Sequence, residues 1–144
     1  MRYDHTKIFQ SAYVLTIEIY RSSSKFSKEH KYTLGEKLKV LCGDLLDLIV
    51  VANAATNKLE FLKKLDLQLE KIKIYLRIAF DLKAISIGVF EVLSRKLDEI
   101  GRQLGGWRKW TEKQNCPSIS ARVSVNQDCG ERAVKRELQP LSQI

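Results

Sequence analysis

The stretch Leu97-Asp98-Glu99-Ile100-Gly101-Arg102-Gln103-Leu104-Gly105-Gly106-Trp107 decides how the chain folds. Leu97, Ile100, Leu104 and Trp107 recur at helical spacing and prolong a stripe begun by Val89, Phe90 and Leu93. Glycine weakens a helix interior by about 1 kcal/mol relative to alanine, so Gly101 and Gly105, one turn apart, need a reason. A strip without side chains lets another helix approach closely. The alternative is termination at Gly105-Gly106 by a left-handed cap. The apolar pattern resumes at Trp107 and Trp110, and Arg108, Lys109 and Lys113 suit a helix C-terminus. Both features favour a helix that runs through the glycines.

Outward from this stretch, the two prolines, Pro117 and Pro140, both fall after residue 113. Everything before them is free of the strongest helix breaker, and four helix-period segments are legible there. The first, about Asp4 to Ser24, carries Ile8, Ala12, Leu15 and Ile19 in one stripe, widened by Phe9, Tyr13, Ile17 and Tyr20. Residues 21–30 form a polar connection. Thr33-Leu34-Gly35-Glu36 reads as a capping box opening the second helix, whose inner stripe is Leu34, Leu38, Leu41, Leu45, Leu48 and Ala52, ending near Asn57. The third, about Lys58 to Leu82, uses Phe61, Leu62, Leu65, Leu69, Ile72, Leu76 and Ala79. Ser86 is a good N-cap for the fourth. Short connections between long amphipathic helices make neighbours antiparallel. The expected fold is all-α: an up-down antiparallel four-helix bundle over residues 1–113, followed by a loosely ordered tail, 114–144.

The composition narrows the function. The net charge is +8, and residues 1–113 hold 21 basic and 14 acidic residues, hence +7 of it. A basic body points to an anionic partner such as nucleic acid. No run of 18 apolar residues exists, so a transmembrane helix is not expected. The N-terminus lacks the pattern of a signal peptide, and three cysteines at unrelated positions fit a reducing cytoplasm. Cys42 reads as a small buried hydrophobe. His5 and His30 are isolated, and Asp44, Asp47, Asp66 and Glu70 lie on outer faces without ligand spacing. Neither a phosphate-cradling loop after a strand nor a nucleophile elbow is present. The expectation is therefore a non-enzyme without metal or cofactor.

Two helices carry apolar residues away from their inner stripes. Leu67, Ile74 and Ile78 line up on the third, and Cys42, Leu46 and Val50 on the second. Extra apolar lines mark a second buried contact, most simply between subunits; wide inner faces are the alternative. Cations also align: Arg95, Arg102, Lys109 and Lys113 opposite the apolar stripe of the fourth helix, and Lys73 with Arg77 on the third. Such lines suit a phosphate backbone. A solvated face explains them equally well, because Glu91 and Asp98 lie close by.

The order of three motifs carries a resemblance. Tyr32-Thr33-Leu34-Gly35-Glu36-Lys37-Leu38 opens the second helix, Leu76-Arg77-Ile78-Ala79-Phe80-Asp81-Leu82 closes the third, and Asp98 through Trp107, with Gly101, Gly105 and Gly106, marks the fourth. Over about residues 3–113 the chain resembles the four-helix bundle family of the accessory variability determinant of diversity-generating retroelements. That family also includes proteins encoded in intervening sequences of bacterial 23S rRNA genes. The resemblance implies a bacterial or phage-encoded cytoplasmic homopentamer. It implies partners as well: a retroelement reverse transcriptase and its template RNA, in support of mutagenic cDNA synthesis and mutagenic retrohoming. Arg77 and Arg102 occupy the family's basic positions, and Arg108 and Lys109 follow Trp107 as basic residues often do there. Lys73, Arg95 and Lys113 complete the expected nucleic-acid and partner face; Leu46, Val50, Leu67, Ile74 and Ile78 are the expected oligomer contacts. The alternative function is a general RNA-binding or structural role of the intervening-sequence type.

Overall fold

The computed structural model describes residues 6–114. The chain divides into two compact units, 1–108 and 109–144, and Lys109–Gln114 are the described part of the second. Four long helices account for almost all of the described chain: α1 Lys7–Ser23, α2 Glu36–Ala54, α3 Lys58–Asp81 and α4 Ile87–Gln114. Among the described residues no strand occurs. The tail from 115 onward lies outside them.

Each helix buries most of the stripe that its sequence period marks; on α2, Leu48 is only half-buried and Ile49, outside the stripe read there, enters the core instead. Leu15 and Ile19 from α1, Leu38, Leu45 and Ile49 from α2, Leu62, Leu65, Ile72 and Leu76 from α3, and Leu93, Leu97 and Ile100 from α4 are all less than 2% exposed. Each such side chain contributes about 1.5–3 kcal/mol on burial; Leu97→Ala, leaving a cavity among these, would cost about 2–5 kcal/mol. Consecutive helices α1 and α2, and α2 and α3, pack side by side. Polar ties fix the neighbours further. Gln68 of α3, itself buried, donates from Nε2 to the Leu41 carbonyl of α2 at 2.8 Å. On α4, Gln103 Nε2 donates to Ser11 Oγ of α1 at 3.0 Å, and Asp98 lies 3.8 Å from Lys73 Nζ of α3. The arrangement is up-down, with α4 against both α1 and α3.

α4 continues unbroken through Gly101, Gly105 and Gly106, and no described glycine has a positive φ. That excludes the left-handed cap. Leu97, Ile100 and Leu104 hold the helix to the core across the glycines, which offsets their low propensity. Ser86 caps α4 as its sequence position promises, its Oγ accepting the Val89 N–H at 3.3 Å.

The start of α2 differs from the capping box. Lys28–His30 already form a helical turn, Lys31–Gly35 continue it in π-helical geometry, and Gly35 and Glu36 have helical dihedrals (φ −59°, ψ −47° and φ −63°, ψ −41°). A cap needs an extended residue with free N–H groups beyond it, and neither exists where the helix is already running. The Thr33 hydroxyl instead donates back to the Glu29 carbonyl at 3.1 Å. The lead-in is held by burial: Phe26 and Leu34 enter the core, and a Cβ on Gly35 would touch Ser23 Cβ at 3.4 Å. Residues 21–30 are therefore not wholly a polar connection.

Two helix ends are closed by means that composition does not reveal. Lys58 Nζ donates to three carbonyls at the end of α2, those of Ala52 (3.2 Å), Asn53 (2.7 Å) and Ala55 (3.0 Å). These are carbonyls a helix C-terminus leaves without intrahelical partners, and the ammonium also suits the negative end of the helix dipole. At the end of α3, Ala84 N–H bonds to Ala79 C=O at 2.8 Å and Lys83 N–H to Phe80 C=O at 3.0 Å. This is a Schellman motif with Lys83 at φ 61°, in the left-handed position that glycine usually takes.

Candidate nucleic-acid and partner interface

Arg95 and Arg102 project from the outer face of α4, with side chains 78% and 74% exposed. Neither is electrostatically alone. Arg95 lies 3.9 Å from Glu91, one turn earlier, and Arg102 pairs with Glu99. The Arg102 hydrogen bond holds the Glu99 carboxyl below its usual range, with the Gln103 amide as a second donor, and the same bond raises the Arg102 pKa. On α3, Lys73 sits between Glu70 at 3.5 Å and Asp98 at 3.8 Å, while Arg77 reaches Asp81 at 3.2 Å and lies over the Phe80 ring at 5.8 Å. Arg108 of α4 pairs with Asp66 of α3, a tie between helices rather than a free cation. Lys109 and Lys113 are exposed in the last turns of α4, in the second unit.

Lys73, Arg77, Arg95 and Arg102 thus form a surface of alternating charge with their acidic neighbours. Exposed pairs of this kind contribute about 0–1 kcal/mol each, so a phosphate can displace the carboxylate at small cost. The face suits exchangeable contacts with a backbone.

The apolar lines fall unequally. On α3, Leu67 (63%) and Ile74 (57%) are well exposed and Ile78 is at the margin of exposure. On α2 the line is different from the one read in the sequence. Cys42 is fully buried, and Leu46 is half-buried against the core; Val50 is half-buried. Cys42 belongs to the seam with α1, beside the Thr16 hydroxyl, and burial pushes its thiol up to about 12. The exposed apolar residues of α2 are Val40 and Val51. On α1, Tyr13 and Tyr20 do not widen the inner stripe: they are about half exposed, Tyr13 stacked on Phe9 and Tyr20 beneath the Lys39 ammonium at 5.3 Å. Helix rotation decides which edge of a wide stripe turns inward, and here both neighbours of each helix set it.

Gly101, Gly105 and Gly106 meet nothing: a Cβ at any of them would have no neighbour within 4 Å. No helix of this chain approaches the strip among the described residues. Trp107, in contrast, is half-buried against the core. Among the described residues no group of three metal-ligating side chains occurs, and no helix is long and apolar enough to cross a membrane. The best-formed hollows are open: one along Phe80, Ala84, Ile85 and Ser86, the other between Arg21 and Lys25 of the α1 end and Gly88 and Val92 of α4.

The described surface thus combines open hollows, exposed apolar residues on α3 and a charged outer face on α4. Over residues 7–111 the chain matches the family described as bAvd-like, and it belongs to that family of bacterial accessory variability determinants. The match spans all four helices. No curated protein matches the chain at a significant level.

Proposed function

We propose that this chain is a non-catalytic accessory subunit of a diversity-generating retroelement. It binds the element's reverse transcriptase and template RNA through its basic surface and supports mutagenic cDNA synthesis. The membership of the bAvd-like family over residues 7–111 carries the reading. The net charge of +7 over residues 1–113 supports an RNA partner, and the exposed Leu67, Ile74 and Ile78 support a homo-oligomer, for which the family resemblance implies five copies. Arg77, Arg95, Arg102, Lys109 and Lys113, with Lys73 and Arg108, are the proposed helix-face contacts to RNA or polymerase.

Contacts to phosphate release counterions, so log K falls with log salt by about 0.7 per contact on single strands. Repetition around an oligomer multiplies weak contacts by avidity. Fluorescence anisotropy with the template RNA across a salt series tests this. A steep negative slope and light scattering above the mass of one 16.6 kDa chain are expected. Absence of binding at low salt would refute the RNA partner, and a monomer mass would refute the oligomer.

A further inference from the structure

The two connections at one end of the bundle, residues 24–35 and 82–86, hold four lysines and one glutamate. The up-down path brings them together: Lys25 shares a hollow with Gly88 at the start of α4, and Lys83 lines another with Ser86 and Ile87. Among the described residues Lys25, Lys28, Lys31 and Lys83 have no carboxylate within 4 Å, whereas Arg77, Arg95, Arg102 and Arg108 are all paired. Four lysines without an ion pair thus gather at this end of the bundle beside a single glutamate.

Two further observations mark this end. Lys83 keeps a left-handed backbone (φ 61°) in a motif where glycine would be unstrained; a side chain retained against its own backbone preference points to a use for that side chain. Tyr32, one turn after Lys28 in the π-helical lead-in, is 66% exposed. π-Helical segments recur at functional positions. An exposed aromatic ring among unpaired lysines fits a strand whose bases are free to stack.

From this juxtaposition we propose that the loop end of the bundle grips single-stranded nucleic acid, with Lys25, Lys28, Lys31 and Lys83 on the phosphates and Tyr32 beneath a base. It rests on the RNA-binding reading above and specifies which surface carries it. A duplex, whose bases are already stacked, gains only the phosphate contacts.

The test is anisotropy with a fluorescein-labelled oligouridylate and with a duplex of equal length. The variant carrying Lys25→Ala, Lys28→Ala, Lys31→Ala and Lys83→Gly is expected to bind the single strand more than tenfold more weakly, and its salt slope to flatten by about 3. Tyr32→Ala is expected to weaken it by about five- to a hundredfold, Tyr32→Phe to bind like wild type, and Lys64→Ala with Lys71→Ala, exposed on α3 and outside the proposed contacts, to change it little. Lys83→Gly should not lower the melting temperature, which separates lost charge from lost fold. If wild type binds and the loop variants bind equally well, this surface is wrong while the RNA-binding reading stands. Preference for the duplex, or indifference to Tyr32→Ala, overturns the single-strand grip. Failure of the wild-type protein to bind either probe overturns both.

Discussion

The glycine strip of α4 gives the sharpest test of how this helix is used. Gly101 and Gly105 are helical, with negative φ, and a Cβ at either has open space within 4 Å. Within one chain, then, Gly101→Ala and Gly105→Ala remove only the entropic penalty of glycine. That stabilises by about 0.8–1 kcal/mol at each position, or about 2 kcal/mol together if the two add. For about 110 ordered residues the unfolding entropy is roughly 0.23 kcal/mol/K, so the double variant should melt about 8 °C higher. Thermal unfolding by circular dichroism reads this directly, at a dilution where light scattering shows single chains. At higher concentration the same variant tests the close-approach reading. If a second copy packs on the strip, two methyl groups in that contact overpack it, costing about 1–3 kcal/mol and dissociating the oligomer. A fall in melting temperature for the single chain would refute the open strip. A rise with unchanged association would show that the glycines serve no interface.

Lys58→Ala removes three charge-assisted bonds to the end of α2. Because water can reach these half-exposed carbonyls, a loss of about 1–3 kcal/mol is expected in a urea titration, and an unchanged midpoint would refute the cap. Cys42, with its thiol pushed up to about 12 from 9.0 by burial, stays neutral in the fold. Since the unfolded thiol ionises first, this group's contribution is present below about pH 9 and is lost as pH rises toward 12. With Cys116→Ser and Cys129→Ser, labelling by a thiol reagent at pH 8 should track unfolding, and fast labelling of the native protein would contradict the burial. Leu67→Glu with Ile74→Glu, both on exposed positions, should leave the monomer's melting temperature within about 1 kcal/mol equivalent while abolishing the proposed oligomer; an unchanged mass by light scattering would remove α3 from the interface.

The stripes of α3 and α4 were readable because their burial follows a strict 3.6-residue period: Leu62, Leu65, Leu69, Ile72 and Leu76, then Leu93, Leu97, Ile100 and Leu104, all reach the core. Ser86 was readable too, since a cap is a local chemical event. Thr33 and Glu36 matched a cap motif with equal fidelity, yet the motif needs a chain that is not already helical, and Phe26, burying itself beneath the α1 end, decides that from outside the motif. Cys42 is buried as its sequence context indicates, but the outer line read through it and the inward edge read for Tyr13 and Tyr20 were misplaced, because a wheel fixes angles within a helix and not its rotation against neighbours. The pairs Arg95–Glu91 and Arg102–Glu99 are i, i+4 and i, i+3 neighbours and visible in the sequence, whereas Arg108–Asp66 joins two helices and is not. Nor could composition show that Lys83 stands in a left-handed turn or that Lys58 reaches across one.

Synthesis of cDNA in vitro tests most directly whether this bundle serves a retroelement polymerase. Purified reverse transcriptase from the retroelement of the same genome, given its template RNA, should make cDNA carrying substitutions at template adenines when this protein is added. Omitting the protein should abolish that product, and the variant of the four loop lysines should reduce it. Mutagenic cDNA of equal yield and adenine-substitution frequency with and without the protein would contradict the proposed accessory role.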